Sequence, residues 1–169
     1  MYKEAIHFAI GTMTSSPAEA IANEVNEDLI FSPDAFSTMG VKAPDETVAE
    51  CLKIGRIPIG TAAVTSAGKL KANYIIHMAT CGFDGQSNEK AIIESLRDGL
   101  VRTKELNIKS LAIPEIGRTT SDIPLKRLAE LLLSECLRHN ERDMTMEEVY
   151  FRLSDEQSMQ TFSECLRHI

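Results

Sequence analysis

The chain has 169 residues, of which 43% are hydrophobic and 25% are charged, so its composition is that of one ordinary globular domain. Its formal net charge is −7 and its Lys and Arg residues are scattered, which argues against general binding of nucleic acid backbones. No apolar stretch of the sequence is long enough to span a bilayer, and its first residues lack the apolar core of a signal peptide. We therefore expect a cytoplasmic protein that does not bind membranes.

Short apolar runs and helical spacings alternate along the chain. The runs predict strands at 5–10, 20–22, 61–65, 73–79, 110–113 and 148–153. Apolar residues at helical spacing predict helices at 45–54, 87–106, 125–137 and 155–167. The signals between 27 and 44 are weak. The alternation predicts a single α/β domain over residues 1–169, with three α/β/α layers and a mixed, mainly parallel sheet.

Turn formers and polar residues mark the predicted helix ends. Pro44 precedes the first helix and Gly55 follows it, as is typical of helix starts and ends. The predicted N-caps of the later helices are Ser87 for the second, Ser121 or Asp122 for the third, and Ser154 or Asp155 for the fourth.

The dispersed cysteines and histidines form neither a CxxC nor an HxxxH pair, so we predict no metal site and no cofactor. In a cytoplasmic protein, the four cysteines are interpreted as reduced thiols of the core. The hexapeptide Ser-Glu-Cys-Leu-Arg-His occurs at 134–139 and again at 163–168. A metal site built from both copies is one interpretation, but we favour the reuse of a sequence that suits a helix C-terminus.

The segment 110–124 joins a predicted buried strand to a predicted helix through a polar turn. Unpaired N–H groups and the positive end of the helix dipole would then face the region beyond the carboxyl end of the strand. That arrangement suits an anion such as phosphate. The alternative is an ordinary strand–loop–helix connection that binds nothing.

Several segments together resemble one known family, the macro domain, which binds ADP-ribose. Each motif is weak alone, but their order and spacing agree over roughly residues 9–153. The matching segments are 11–14, 20–26, Glu50-Cys51, 60–65 with Leu70, 74–77, and 110–117. The resemblance implies the α/β/α fold predicted above and ADP-ribose or a related nucleotide as the ligand.

The resemblance also implies which residues contact that ligand. Thr12 stands where the family has an Asp that accepts a hydrogen bond from the adenine amino group. Asn26 matches the family's Asn that contacts the distal ribose, although an Asn at a strand end can instead bond the local backbone. The predicted ligand-binding residues are Thr12, Met13, Asn26, Ser32, Asp34, Ile116, Gly117, Arg118, Thr119, Thr120 and Ser121.

Both phosphate-binding loops depart from the glycine-rich pattern of the family. In the first loop, Pro33 has no N–H to donate and Asp34 would repel a phosphate. In the second loop Gly117 is retained, but side chains follow it where the family keeps the backbone bare. Arg118 can either clamp a phosphate, fill its place, or pair at the surface with a neighbouring carboxylate, Glu115 or Asp122.

Four further residues have open roles. His77 lies in the most apolar strand and is interpreted as a core histidine rather than a catalytic group. Cys81 follows that strand, and no sequence neighbour predicts a lowered thiol pKa. Phe31 and Phe36 can stack on an adenine, but plugging the pocket or packing in the core is favoured.

Three functions are compatible with the sequence. The first is a weak binding module for ADP-ribose or a related nucleotide, without robust hydrolase activity. The second is a ligand-free scaffold that works through contact with a partner protein of unknown identity. The third is an ADP-ribosyl or O-acetyl-ADP-ribose hydrolase, which needs a carboxylate to activate water. Asp34 is the weak catalytic candidate, so the enzyme is the least favoured of the three.

Overall fold

The computed structural model describes residues 3–30, 42–143 and 145–169. In this part of the chain, six strands form one sheet in the order β1-β6-β5-β2-β4-β3. All neighbouring strands are parallel except the antiparallel pair β3 and β4, which confirms the predicted mixed, mainly parallel sheet. The strands are β1 Ile6–Ile10, β2 Ala20–Asn26, β3 Ala62–Ser66, β4 Tyr74–Cys81, β5 Ser110–Pro114 and β6 Glu148–Leu153.

The four predicted helices all form and flank the sheet. They are α1 Asp45–Ile54, α2 Glu89–Glu105, α3 Leu125–Asp143 and α4 Glu156–His168. Two short 3-10 turns, Lys3–Ala5 and Met13–Ser15, precede and follow β1. No helix in the described ranges is both long and apolar enough to cross a membrane.

The sheet is covered on both faces, as the unbroken apolar run of β4 predicts. Ile76 and Met78 pack into the large core beneath α2, α3 and α4, together with Phe151. Ile75 points the other way, into a smaller cluster that contains Met13 from the turn after β1. All four cysteines are buried free thiols, which confirms their interpretation as core residues.

Strand β2 is four residues longer than predicted, because polar side chains at its end find partners far along the chain. Asn23 donates from Nδ2 to His77 Nδ1 at 3.2 Å, and Glu24 accepts from the hydroxyl of Thr80 at 2.7 Å. Strand β4 also continues two residues beyond the prediction, to Cys81, and pairs with the end of β2 at Asn26.

The structure corrects the predicted N-caps of α2 and α3 and confirms that of α4. Ser87 donates its hydroxyl to the carbonyl of Thr80, so Asn88 caps α2 instead by accepting from the N–H of Ala91 at 2.9 Å. The prediction for α4 is confirmed, since Asp155 accepts from the N–H of Ser158 at 2.8 Å.

Helix α3 begins at Leu125, later than a cap at Ser121 or Asp122 would require. The hydroxyl of Ser121 donates to the carbonyl of Gly117 at 2.7 Å and is therefore committed to the loop before the helix. The carbonyl of Pro124 accepts the N–H of Leu128, so the first helical hydrogen bond starts at that proline.

Candidate functional site

A cavity of about 580 Å³ lies at the carboxyl ends of the parallel strands. This edge is where α/β sheets usually bind ligands, and small-molecule sites generally measure about 300–1,000 Å³. Among the described residues, its lining comes from the ends of β1, β2, β4, β5 and β6 and the loops that follow them. The lining comprises Gly11, Thr12, Met13, Asn23, Glu24, Val25, Asn26, Ile30, Cys81, Gly82, Phe83, Gly85, Pro114, Glu115, Arg118, Thr119, Thr120, Arg152, Leu153 and Ser154.

The predicted ligand-binding residues fall into three groups in the structure. The first lines the cavity and consists of Thr12, Met13, Asn26, Arg118, Thr119 and Thr120. The second does not line it and consists of Ile116, which is fully buried in the core, Gly117 and Ser121. The third lies outside the described residues and consists of Ser32 and Asp34, together with Phe31, Pro33 and Phe36.

A larger groove of about 940 Å³ lies on the helices α2, α3 and α4. No predicted ligand-binding residue lines it. Two of its arginines have carboxylate partners: Arg97 donates twice to Glu135, at 2.8 and 3.0 Å, and Arg127 bonds Glu89 at 3.0 Å. The cavity at the strand ends is therefore the candidate site.

Asn26 bonds the local backbone and also lies at the cavity. Its Oδ1 accepts the N–H groups of Asp28 and Ile30 at 3.1 and 3.2 Å, so the side chain fixes the turn after β2. The residue also lines the cavity. An amide whose oxygen is held by the backbone still has its nitrogen to donate to a ligand oxygen.

The carboxylate of Glu24 occupies the donors of the second loop. Its Oε1 accepts the hydroxyls of Thr80 and Thr120, each at 2.7 Å, and its Oε2 accepts the N–H of Gly117 at 3.1 Å. Sequence reasoning missed this residue. The sequence did contain a signal for it: within Ala20–Asn26, Glu24 stands where the resembling family has Ala.

Gly117 is required at the start of the second loop. Its φ is +88°, a conformation that favours glycine, and an added Cβ would lie 2.3 Å from Cδ1 of Ile92. In this conformation the N–H of Gly117 points toward Glu24.

Glu115 is the second carboxylate among the described lining residues of the cavity, and it is buried, whereas Glu24 is partly buried. Its Oε2 accepts the N–H of Ser154 at 2.8 Å, and its Oε1 accepts the hydroxyl of Ser158. These contacts hold Glu115 against the start of α4. Because its oxygens are used in this way, the carboxylate acts as a structural link between β5 and α4.

Arg118 lies beside Glu115 without bonding it closely. The Nε of Arg118 is 3.9 Å from Oε1 of Glu115, which is an ion pair but too long for a hydrogen bond. The pKa of Asp155 lies below its usual value, mainly because its carboxylate accepts the N–H of Ser158. The nearby positive charge of Arg118 lowers this pKa further. The side chain of Arg118 is 37% exposed and lines the cavity. Its ion-pair partner, Glu115, is one of the two that the sequence suggested.

Arg152 is the second cation of the cavity, and sequence reasoning did not select it. It lies on β6, in register with Ala9 of β1 and Pro114 of β5, whose small side chains leave room above the sheet. Its Nε is buried and has no hydrogen-bond partner among the described residues. The signal in the sequence was an arginine next to the end of a strand whose carboxyl edge should face the ligand.

His77 is a core residue, and Cys81 is buried but lies in the lining of the cavity. His77 is fully buried and is bonded to Asn23 and to the hydroxyl of Thr65, at 3.2 and 2.8 Å, and burial lowers its pKa to about 3. Burial, and then the nearby Glu24, raise the pKa of the Cys81 thiol, so it is not an activated nucleophile.

Comparison with known proteins agrees with this architecture. An uncharacterised protein of Thermotoga maritima is 31% identical over 94% of this chain, but the chain spans only 28% of that relative's length. The macro domain-containing protein TTE0995 of Caldanaerobacter subterraneus is 29% identical, over 99% of this chain and 98% of its own.

A solved structure and a family model give the same result. The Trypanosoma brucei macrodomain in complex with ADP-ribose superposes with a TM-score of 0.84 at 18% identity, over 96% of this chain and 69% of that one. The family model described as Macro domain matches residues 22–132. The chain therefore belongs to the macro domain family.

Proposed function

We propose that this cavity binds ADP-ribose or a related nucleotide weakly, without robust hydrolase activity. The observation that carries the proposal is that one cavity, of suitable size, is lined by Thr12, Asn26 and Arg118. These residues come from three separate parts of the chain that the family resemblance assigns to the ligand. The T. brucei relative, whose structure holds ADP-ribose, lends further support.

The proposed affinity is low because the cavity lacks two sources of binding energy. Glu24 already uses the N–H of Gly117 and the hydroxyl of Thr120, so a phosphate there would meet a carboxylate instead of free donors. Thr12 replaces an ionised acceptor by a hydroxyl, and a neutral hydrogen bond is weaker than a charge-assisted one.

The carboxylates of the described part of the cavity are poorly suited to activate water. Glu24 accepts three hydrogen bonds and Glu115 accepts two, all from protein groups. A general base needs a lone pair directed at the water. This arrangement supports binding without hydrolysis.

Calorimetry with ADP-ribose at high protein concentration tests the proposal. We expect a one-site isotherm of low affinity, a small thermal shift, and a weaker isotherm for Asn26→Ala. An absence of both heat and thermal shift would contradict it, as would rapid release of ADP-ribose from a modified protein.

A ligand-free scaffold is the second candidate, and the internal bonding of Glu24 is the observation that favours it. A loop whose donors are satisfied by its own chain is stable without a ligand. A failed calorimetric titration, together with an unchanged fold by circular dichroism, would favour this function over nucleotide binding.

A further inference from the structure

We propose that phosphate groups bind in this cleft to the side chains of Arg118 and Arg152, and that Glu24 excludes them from the main chain of the second loop. The inference rests on the proposed function, and it names the part of the ligand that this cleft recognises. That part is a phosphate ester or diphosphate, held at the β5 and β6 side of the cavity.

The second loop already holds an anion, which is the carboxylate of Glu24. The three donors around Glu24 come from the end of β4 and from two positions of the loop, Gly117 and Thr120. A carboxylate held by converging donors is in chemical terms a substitute for a phosphate oxygen pair. A ligand phosphate could reach these donors only by displacing it.

The cavity nevertheless offers positive charge. Among its described lining residues the cations are Arg118 and Arg152, and the acids are Glu24 and Glu115. Both acids are committed to bonds with N–H and hydroxyl groups of the protein. Among the described residues Arg152 has no hydrogen bond to either acid, and Arg118 makes only an ion pair of 3.9 Å with Glu115.

The Nε donor of Arg152 has no acceptor among the described residues. Its buried Nε lies where water reaches it poorly, and a buried donor without an acceptor is unfavourable. A phosphate oxygen would satisfy it, and the planar guanidinium can hold two oxygens at once. Most arginines on the helical surface of this protein, such as Arg127, already have such a partner, which in that case is Glu89.

A hydroxyl group also lines the cavity two residues after Arg152 in the chain. The N–H of Gly11 donates to the carbonyl of Leu153, which joins the end of β1 to the end of β6. Thr12 and Ser154 directly follow these two residues and also line the cavity. The hydroxyl group of Ser154 can donate to a remaining phosphate oxygen, whereas the hydroxyl of Thr12 stays the acceptor for the adenine amino group.

Calorimetric titration of the whole chain with pyrophosphate, ADP-ribose and adenosine tests the inference. We expect Arg118→Gln and Arg152→Gln each to weaken pyrophosphate and ADP-ribose about tenfold, the loss expected for one charge-assisted hydrogen bond. Adenosine binding should not change. Arg152→Lys keeps the positive charge but not the planar group that holds two oxygens, so its affinity for both phosphate probes should lie between those of the wild type and Arg152→Gln. Glu24→Gln should bind ADP-ribose more tightly, because it removes a negative charge near the phosphates.

The matched control is Arg127→Gln, which removes an equal charge from α3 outside the cavity and should change no affinity. Unchanged pyrophosphate and ADP-ribose affinities in the Arg118→Gln/Arg152→Gln double variant would overturn the inference while leaving nucleotide binding intact. Pyrophosphate binding that depends on both arginines, without any binding of ADP-ribose, would uphold the anion subsite and refute the proposed function. A wild-type chain that binds none of the three probes would refute both.

Discussion

The carboxylate of Glu24 accepts the main-chain N–H of Gly117 at 3.1 Å, although the two residues are 93 positions apart in the chain. The contact joins the end of β2 to the loop after β5. Because of this contact, the carboxylate of Glu24 occupies the loop donors that a bound anion would otherwise use. The remaining positive charge of the cavity then lies on the two arginines of the β5 and β6 side.

Glu24 should stabilise the fold as well as shape the cavity. Replacement by Ala leaves the N–H of Gly117 and the hydroxyls of Thr80 and Thr120 without their acceptor. We expect a loss of about 1–3 kcal/mol in the free energy of unfolding, measured by urea denaturation. Glu24→Gln retains an acceptor oxygen and should lose less. Equal stability of Glu24→Ala and the wild type would show that water replaces the carboxylate without cost.

The fold was predictable because its strands are short apolar runs and its helices carry a regular apolar stripe. The bounds of α1 and β6 agree with the prediction residue for residue. The end of β2 was not predictable by the same reasoning, because Asn23 and Glu24 are polar. Their burial depends on His77 and Thr80, which only the folded sheet brings next to them.

The candidate site was predicted in part for a similar reason. The family resemblance pointed to Thr12, Asn26 and Arg118, which line the cavity. It did not point to Arg152, because a single cation in a strand has no local pattern that marks it as a ligand contact. Its place in the cavity depends on its neighbours in register, Ala9 and Pro114, and therefore on the order of strands in the sheet.

Gly117 should not tolerate a side chain. Gly117→Ala combines an unfavourable positive φ with a Cβ placed 2.3 Å from Ile92, so we expect a loss of at least about 2 kcal/mol by urea denaturation. Gly85→Ala is the control, because Gly85 has a φ of +69° but no atom within 4 Å of an added Cβ. It should show only the backbone cost, about 1 kcal/mol. If the two variants were equally stable, the close packing against Ile92 would not matter.

The cysteines should be unreactive in the native state. All four are buried, and burial, followed by the nearby Glu50, raises the pKa of Cys51 to about 11. Thiolate is the reactive form, so a disulfide reagent at pH 7.4 should label almost none of them in the native protein and all of them in denaturant. Rapid labelling of one thiol in the native protein would contradict its burial.

His77 should make the fold less stable as the pH falls. Burial holds its pKa at about 3 in the folded chain, against about 6.5 in an unfolded one. Between these pH values the unfolded chain binds one more proton than the folded chain. The contribution of His77 to the stability is therefore complete above pH 6.5, and it declines by about 1.4 kcal/mol per pH unit between pH 6.5 and pH 3. Urea denaturation of His77→Gln and the wild type from pH 4.5 to 7.5 isolates this share, because the other titrating groups are common to both. The two stabilities should converge as the pH falls; parallel curves, or an NMR titration of His77 near pH 6, would show that the buried imidazole accepts a proton in the folded state.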